Sequence, residues 1–340
     1  MIETVGGAIA AAALGPTCMH DHVLSDSSGL RRPGSLPAPD LGRVGAANLD
    51  YLRRNMLASA DNLRLDDPRL AATELSAAVA AGQRAVVECS SWGLGPDHAG
   101  LPAVSAASGM TIVVAYGAYI PRAVPGWVAA MGEAELEAHL VEALTVAVPG
   151  TGFRAGMLGI MGTTAELGGR EREQLRAAAR AASATGAAVS VRLDPEARNG
   201  LDVLALTAAQ GLPAERVVLS NADEYMDRSY WAELADAGAV LEMCFGTEAV
   251  HAGRVDNPSD RERLAFFPAF LAAHPRSRHT LGQSLWTKAQ LAAHGGRGYA
   301  HLLTRIVPGL LALGVPAERV DRMLRDEPRR LLDRPVPVPA

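Results

Sequence analysis

The amino-acid sequence predicts an α/β protein built as a single (β/α)8 barrel. Strand-like runs of β-branched residues alternate with Ala-, Leu- and Arg-rich helical runs along the chain, and this alternation is typical of parallel βα units. Eight strand segments can be recognised, which favours a closed barrel over an open sheet. The 340 residues also fit one barrel with insertions, since such domains span about 200 to over 400 residues.

The predicted strands are short and spaced along the whole chain. The first ends at Thr17-Cys18-Met19-His20, and the others cover residues 84–88, 111–116, 156–160, 187–192, 216–220, 239–243 and 279–282. Helical patterns between them include residues 133–147, 170–185 and 261–273. Residues 1–334 are therefore expected to form the barrel domain. Residues 335–340, rich in Pro, are expected to form a C-terminal tail.

Composition and charge exclude several classes of protein. Hydrophobic residues make up 49% of the chain and charged residues 20%, so a large core is expected rather than disorder. No apolar run reaches the roughly 20 residues that a membrane span needs, and an acidic N-terminal stretch argues against a signal peptide. The net charge of −5 argues against nucleic acid as a partner. We expect a cytoplasmic enzyme for a small molecule, without a membrane partner.

The most informative short motif is His20-Asp21-His22, which follows the first apolar strand. Residues two apart on a strand point the same way, so both imidazoles can face one point at the barrel mouth. An HxH pair alone is weak evidence for a metal site. Loops at the carboxyl ends of barrel strands nevertheless form the active site in this architecture.

The neighbouring sequence makes the motif more specific. Residues 14–22 (LGPTCMHDH), 155–163 (AGMLGIMGT), 216–223 (RVVLSNAD) and 327–332 (EPRRLL) are similar to segments of the phosphotriesterase family in the amidohydrolase superfamily, and the similarity covers nearly the whole chain. The resemblance implies a TIM barrel whose mouth holds two divalent metals, usually zinc. It also implies a metal-bound hydroxide that attacks phosphoesters, lactones or other esters, and it allows a homodimer.

This sequence departs from the metal ligands that the resemblance implies. The HxH pair is present, but the bridging Lys or Glu of strand 4 is replaced by Ile160. The later His ligands are replaced by Arg192 and Asn221, and the Asp ligand by Ser284, with Gln283 beside it. Because a guanidinium stays charged in proteins, we expect no binuclear centre and no cofactor. A single zinc on His20 and His22, completed by Asp194 or His251, stays open as an alternative.

The residues at the barrel mouth suggest acid–base chemistry instead. His20 or His22 can act as a general base, and Glu88 or Glu242 can orient that imidazole or act as the acid. Arg192 can clamp a carboxylate or phosphate, and Asn221 can stabilise an oxyanion. An internal salt bridge of Arg192 with Glu88 or Glu242, closing a dead site, is the structural alternative. The predicted substrate-binding residues are Cys18 (also a candidate nucleophile), Tyr225, Gln283, Ser284 and Trp286.

These observations predict a metal-independent, phosphotriesterase-like hydrolase. Its substrate is expected to be a small acyl compound, an ester, lactone or amide, that carries an anionic group. Three different functions stay open: a lyase, cyclase or isomerase on the same barrel, a mononuclear metal hydrolase that uses His20 and His22, and a non-catalytic protein that binds its ligand without turnover.

Overall fold

The computed structural model describes residues 1–35, 37–247 and 256–334, and within them it confirms the (β/α)8 barrel. The barrel strands are β1 Thr17–Asp21, β2 Ala85–Glu88, β3 Thr111–Tyr116, β4 Met157–Gly162, β5 Val189–Arg192, β6 Val217–Ser220, β7 Val240–Cys244 and β8 Arg278–Gly282. Neighbouring strands pair in parallel and follow chain order from β1 to β8. Each predicted strand is present; residues 111–116 match without a shift, and the ends of the others differ by at most two residues.

Backbone hydrogen bonds join the last strand to the first at the carboxyl end of the barrel. The amides of Gln283 and Ser284 donate to the carbonyl of His20 at 2.9 and 2.8 Å, and the amide of His22 donates to Leu285 at 3.1 Å. These bonds hold the HxH motif against the end of β8. The carboxyl ends of the strands therefore meet around one mouth.

Helices connect the strands and cover the outside of the sheet. The α-helices are Leu49–Arg54, Pro68–Ala80, Leu101–Ser108, Gly126–Ala130, Glu133–Thr145, Gly169–Thr185, Gly200–Ala208, Arg228–Asp236, Asp260–Ala273, Val307–Ala312, Ala317–Asp321 and Glu327–Leu332, with π-turns at Leu302–Ile306 and Arg322–Asp326. Local sequence fixes their ends. Asp67 and Ser259 accept bonds from the first turns of their helices, and Gly186 ends the longest helix in the left-handed conformation (φ 69°).

Two layers of apolar side chains form the core. The barrel interior is filled by small and medium residues such as Met19, Val87, Ala115, Ile160 and Val218. A larger layer lies between the sheet and the helices. The alternation of the strands produces this division, because successive side chains point to opposite faces.

The segment after β1, which is rich in Gly and Pro, forms a long excursion from the barrel. It contains the short strand Ser25–Asp26, which pairs with Arg64–Leu65, and the 3₁₀ turn Ser28–Leu30. The predicted tail at 335–340 lies outside the described residues. No helix in the described ranges is long and apolar enough to cross a bilayer.

Candidate active site

A cavity of about 490 Å³ opens at the carboxyl end of the barrel. Five of the predicted site residues line it: His20, His22, Arg192, Ser284 and Trp286. Its apolar wall comes from Leu30, Leu57, Leu94, Tyr119, Ile120 and Ile160, and its charged side chains are Arg32, Arg122, Glu166, Asp194 and Glu224 together with Arg192. Its volume is in the range of small-molecule sites.

His20 is held by a buried polar network at the floor of this cavity. Its Nδ1 lies 2.8 Å from Glu242 Oε2 and 2.7 Å from Ser220 Oγ, and the Ser220 hydroxyl donates to the same carboxylate at 2.6 Å. Burial would raise the pKa of Glu242, but His20 and Ser220 hold it below its ordinary value. An ionised carboxylate only accepts hydrogen bonds, so Nδ1 carries a proton in this pair. The lone pair of a neutral His20 ring is then on Nε2.

His22 lies beside His20 and faces the same cavity. The two Nε2 atoms are 3.3 Å apart, as expected for residues two apart on a strand. The Nδ1 atom of His22 lies 3.0 Å from Ser90 Oγ. Burial, followed by the charges of His20 and Arg192, lowers the pKa of His22 well below its ordinary value. The His22 ring is therefore neutral near pH 7.

Arg192 forms an ion pair with Glu224, a partner that the sequence did not indicate. Its Nη2 atom lies 2.5 Å from Glu224 Oε2, and Asn257 donates to the other oxygen of Glu224 at 3.3 Å. The Glu224 carboxylate raises the pKa of Arg192 against the effect of burial, so this cation is fixed. The interpretation in which Arg192 pairs with Glu88 or Glu242 is wrong, because those carboxylates have other partners.

Glu88 is buried at the end of β2 and does not contact His20. Its oxygens accept from the amides of Val23 and Ser90 at 3.2 and 3.1 Å. Burial raises its pKa to about 7. Of the two glutamates that the sequence offered as partners for the imidazole, Glu242 takes that position.

The remaining predicted residues lie behind the cavity wall. Asn221 Oδ1 lies 3.2 Å from the Ser220 hydroxyl, and Gln283 donates to Asp21 at 3.1 Å. The ring of Tyr225 packs against Tyr230. Cys18 donates to Asp21 at 3.2 Å, and burial raises the pKa of its thiol well above the ordinary value, which disfavours a nucleophilic thiolate. None of these four lines the cavity.

Sequence reasoning missed two contributors to the site. Ser220 is buried at the end of β6 and completes the His20 network, and Glu224 reaches Arg192 from the next turn. Asn221 between them adopts the left-handed conformation (φ 52°), which turns the chain back toward the mouth. The HxH motif at strand spacing gave a signal for His20, but no periodic pattern marks Ser220 or Glu224.

Among the residues that the structure describes, two groups of side chains have donor atoms close enough for a metal ion. The Nε2 atoms of His20 and His22 converge, and Nδ1 of His20, a carboxylate oxygen of Glu242 and Sγ of Cys244 lie within 4.8 Å of one another. The Ser220 hydroxyl binds both His20 and Glu242, so the second group is already bridged by a protein hydroxyl. The alternative ligand His251 is outside the described residues.

A parallel barrel with a polar cavity at its carboxyl end, floored by an HxH pair, places a small-molecule site where enzymes of the (β/α)8 architecture have their active sites. The model of the Phosphotriesterase family matches residues 1–332, and the chain belongs to that family. It is 28% identical to the phosphotriesterase-related protein of Nematostella vectensis, covering 98% of both chains. It is 26% identical to the N-acetyltaurine hydrolase of Dictyostelium discoideum, covering 97% of both.

A solved structure supports the same assignment. The resiniferatoxin-binding protein from Rhodobacter sphaeroides superimposes with a TM-score of 0.93 and 29% identity, covering 98% of this chain and 94% of that one. The family and its hydrolase members identify this chain as a hydrolase-like enzyme.

Proposed function

We propose that this enzyme hydrolyses an ester, lactone or amide bond in a small acyl compound that carries an anionic group, with His20 as general base and without a two-metal centre. The observation that carries the proposal is the buried pair of His20 and Glu242, 2.8 Å apart, on the floor of an open cavity. A carboxylate in this position orients the imidazole and stabilises its protonated form.

The hydrolytic step needs only groups at the cavity. His20 Nε2 accepts a proton from water while the water oxygen bonds to the substrate carbonyl carbon. The guanidinium of Arg192 keeps further N–H groups besides the one on Glu224, and these donate to the developing oxyanion. The proton on His20 then passes to the leaving oxygen or nitrogen as its bond to the acyl carbon breaks.

The residues at the implied metal positions do not fit a binuclear centre. Ile160, at the bridging position, has no ligand atom and packs with the apolar core. Arg192, at the strand-5 position, is a permanent cation beside His22, and it would repel a divalent ion there. Asn221 is bonded to Ser220. The proposed hydrolysis therefore does not use paired metals.

The cavity wall supports the substrate class. Arg192, Arg32 and Arg122 bring guanidinium groups to the cavity, and planar guanidinium suits carboxylate, sulfonate or phosphate groups. Leu30, Leu57 and Trp286 offer apolar surface for an acyl chain. The N-acetyltaurine hydrolases among the relatives act, by name, on an amide that joins an acyl group to an anionic one. We extend that chemistry to this chain.

A second candidate is a mononuclear metal hydrolase. Two nitrogen ligands about 2.0–2.1 Å from a tetrahedral zinc lie roughly 3.3–3.4 Å apart, and the Nε2 atoms of His20 and His22 are separated by 3.3 Å. His20 and His22 would hold this ion, which would supply an acidic bound water. The cation of Arg192 near His22 counts against it.

The test is turnover of anionic acyl compounds by protein dialysed against a chelator. N-acetyltaurine, longer N-acyl taurines, N-acyl amino acids and lactones form the panel, and released amine or acid is measured. We expect turnover that is abolished in His20→Gln and retained in His294→Gln, a variant outside the cavity. Turnover that survives His20→Gln, or that returns only with added zinc, would contradict the proposal. Products of elimination or isomerisation would instead identify a lyase or isomerase, and binding without any product would identify a non-catalytic protein.

A further inference from the structure

A second cavity, of about 280 Å³, lies at the opposite end of the barrel. Its wall is formed by residues 275–279 at the start of β8 and by the C-terminal segment that carries Arg319, Arg322 and Glu327. Four arginines line it: Arg276, Arg278, Arg319 and Arg322. Glu327 is the sole carboxylate among these lining residues. The active-site mouth is at the other end of the same strand, where Ser284 follows β8.

The lining of this cavity carries an excess of positive charge, with four arginines and one glutamate. Arg278 lies 3.4 Å from Glu327, and Glu327 also pairs with Arg330. Arg276 and Arg322 are exposed, and within the described parts of the chain neither side chain has a hydrogen bond or an ion pair. The buried Nε of Arg319 has no acceptor. Burial and the neighbouring Arg322 lower the pKa of Arg319, against the opposing charge of Glu327.

The arginine at the centre of the cavity is fixed before any ligand arrives. Arg319 donates from Nη1 to the carbonyl of Pro275 at 2.7 Å and from Nη2 to the carbonyl of Ser277 at 2.6 Å. These bonds hold the guanidinium plane against the loop before β8. A pre-positioned cation loses little freedom on binding, which favours a specific site over a diffuse basic patch.

We propose that this cavity binds a small anion with a diphosphate group. Guanidinium groups match phosphate oxygens in charge and in planar geometry. A single phosphoryl group carries a charge of about −1.5 to −2 near pH 7, so two linked phosphoryl groups match the excess charge of the arginines. A ligand with one carboxylate carries too little negative charge to do so. The cavity volume, about 280 Å³, lies just below the range of about 300 to 1,000 Å³ that is usual for ligand sites, so only a small ligand fits. This assignment is independent of the chemistry at the barrel mouth.

Calorimetric titration of the full chain with inorganic diphosphate tests the proposal. We expect one saturable site per chain, with orthophosphate and sulfate binding about tenfold more weakly and with affinity falling as salt is added. A parallel titration with a nucleoside diphosphate tests whether the diphosphate group is bound as part of an organic ligand or as the inorganic ion. Arg276→Gln and Arg322→Gln should each weaken binding by about tenfold, the loss of one charge-assisted contact.

Arg325→Gln is the matched control. Arg325 lies in the same helical segment, is bonded to Asp321 at 2.6 Å and does not line the cavity, so its variant should bind as the parent does. Circular dichroism confirms that each variant is folded, and turnover of the Arg322→Gln protein should equal that of the parent. The proposal is overturned if diphosphate gives no saturable heat, or if sulfate binds as tightly as diphosphate. It is also overturned if Arg276→Gln and Arg322→Gln bind diphosphate as the parent does, or if a short RNA binds with the same dependence on these arginines while diphosphate does not bind.

Discussion

Replacing Glu242 by Gln removes one charge from the His20 network and keeps its shape. Both side chains are almost completely buried, with 1% of His20 and 2% of Glu242 exposed, so solvent does not screen the pair. A hydrogen bond to a charged group contributes about 1.5–3 kcal/mol. At about 1.4 kcal/mol for each factor of ten, kcat should fall about 10- to 150-fold. Since Glu242 does not line the cavity, KM should change little.

Steady-state kinetics on the best substrate of the panel measures this change, with thermal unfolding as a check on folding. Glu88→Gln is the informative comparison, because Glu88 is an equally buried glutamate whose oxygens bind backbone amides rather than an imidazole. Its kcat should stay close to that of the parent. Equal losses of kcat in both variants, or a normal kcat in Glu242→Gln, would refute the reasoning that Glu242 supports the base.

Three further predictions concern charge and stability. Arg263→Met should lower the free energy of unfolding by about 3–5 kcal/mol, since it leaves the fully buried Asp223 without its cation. Urea denaturation measures this change, and a loss below about 1 kcal/mol would contradict the role of the pair. Burial lowers the pKa of His98 to about 4, so the unfolded chain binds more protons between about pH 4 and 6.5. Stability should therefore fall by up to about 3 kcal/mol as the pH drops through this window, less so in His98→Phe, and parallel curves for the two proteins would count against it. Arg192→Gln combined with Glu224→Gln, which leaves no unpaired charge, should lower kcat for all substrates, because it removes the oxyanion donor. In the same steady-state measurements KM should rise for anionic substrates but not for neutral esters.

The fold was predictable because its signal is repeated eight times. Most of the strands are short runs rich in β-branched residues, and strands such as β6 and β7 are buried along their whole length. Such runs are typical of parallel sheets covered by helices. Only the ends of the predicted strands differ from the structure, because the first and last residues of a strand depend on the adjoining loops.

The site was predictable where strand geometry alone decides it. His20 and His22 converge because they are two apart on one strand, and Arg192 and Ser284 reach the mouth because they end or follow strands. The partners were not predictable from the sequence. Glu88 and Glu242 are the same residue type, but their partners differ. Backbone amides near β2 bind Glu88, whereas β7 brings Glu242 to His20. Glu224 reaches Arg192 through a left-handed turn at Asn221, a conformation that the sequence does not indicate.

Metal content measured by mass spectrometry on the same preparation that is assayed for turnover tests the central claim most directly. If His20 and Glu242 supply the base, hydrolysis persists in protein that holds no stoichiometric zinc, manganese or iron, and chelation leaves kcat unchanged. A divalent ion bound in stoichiometric amount, whose removal abolishes hydrolysis and whose return restores it, would contradict the account.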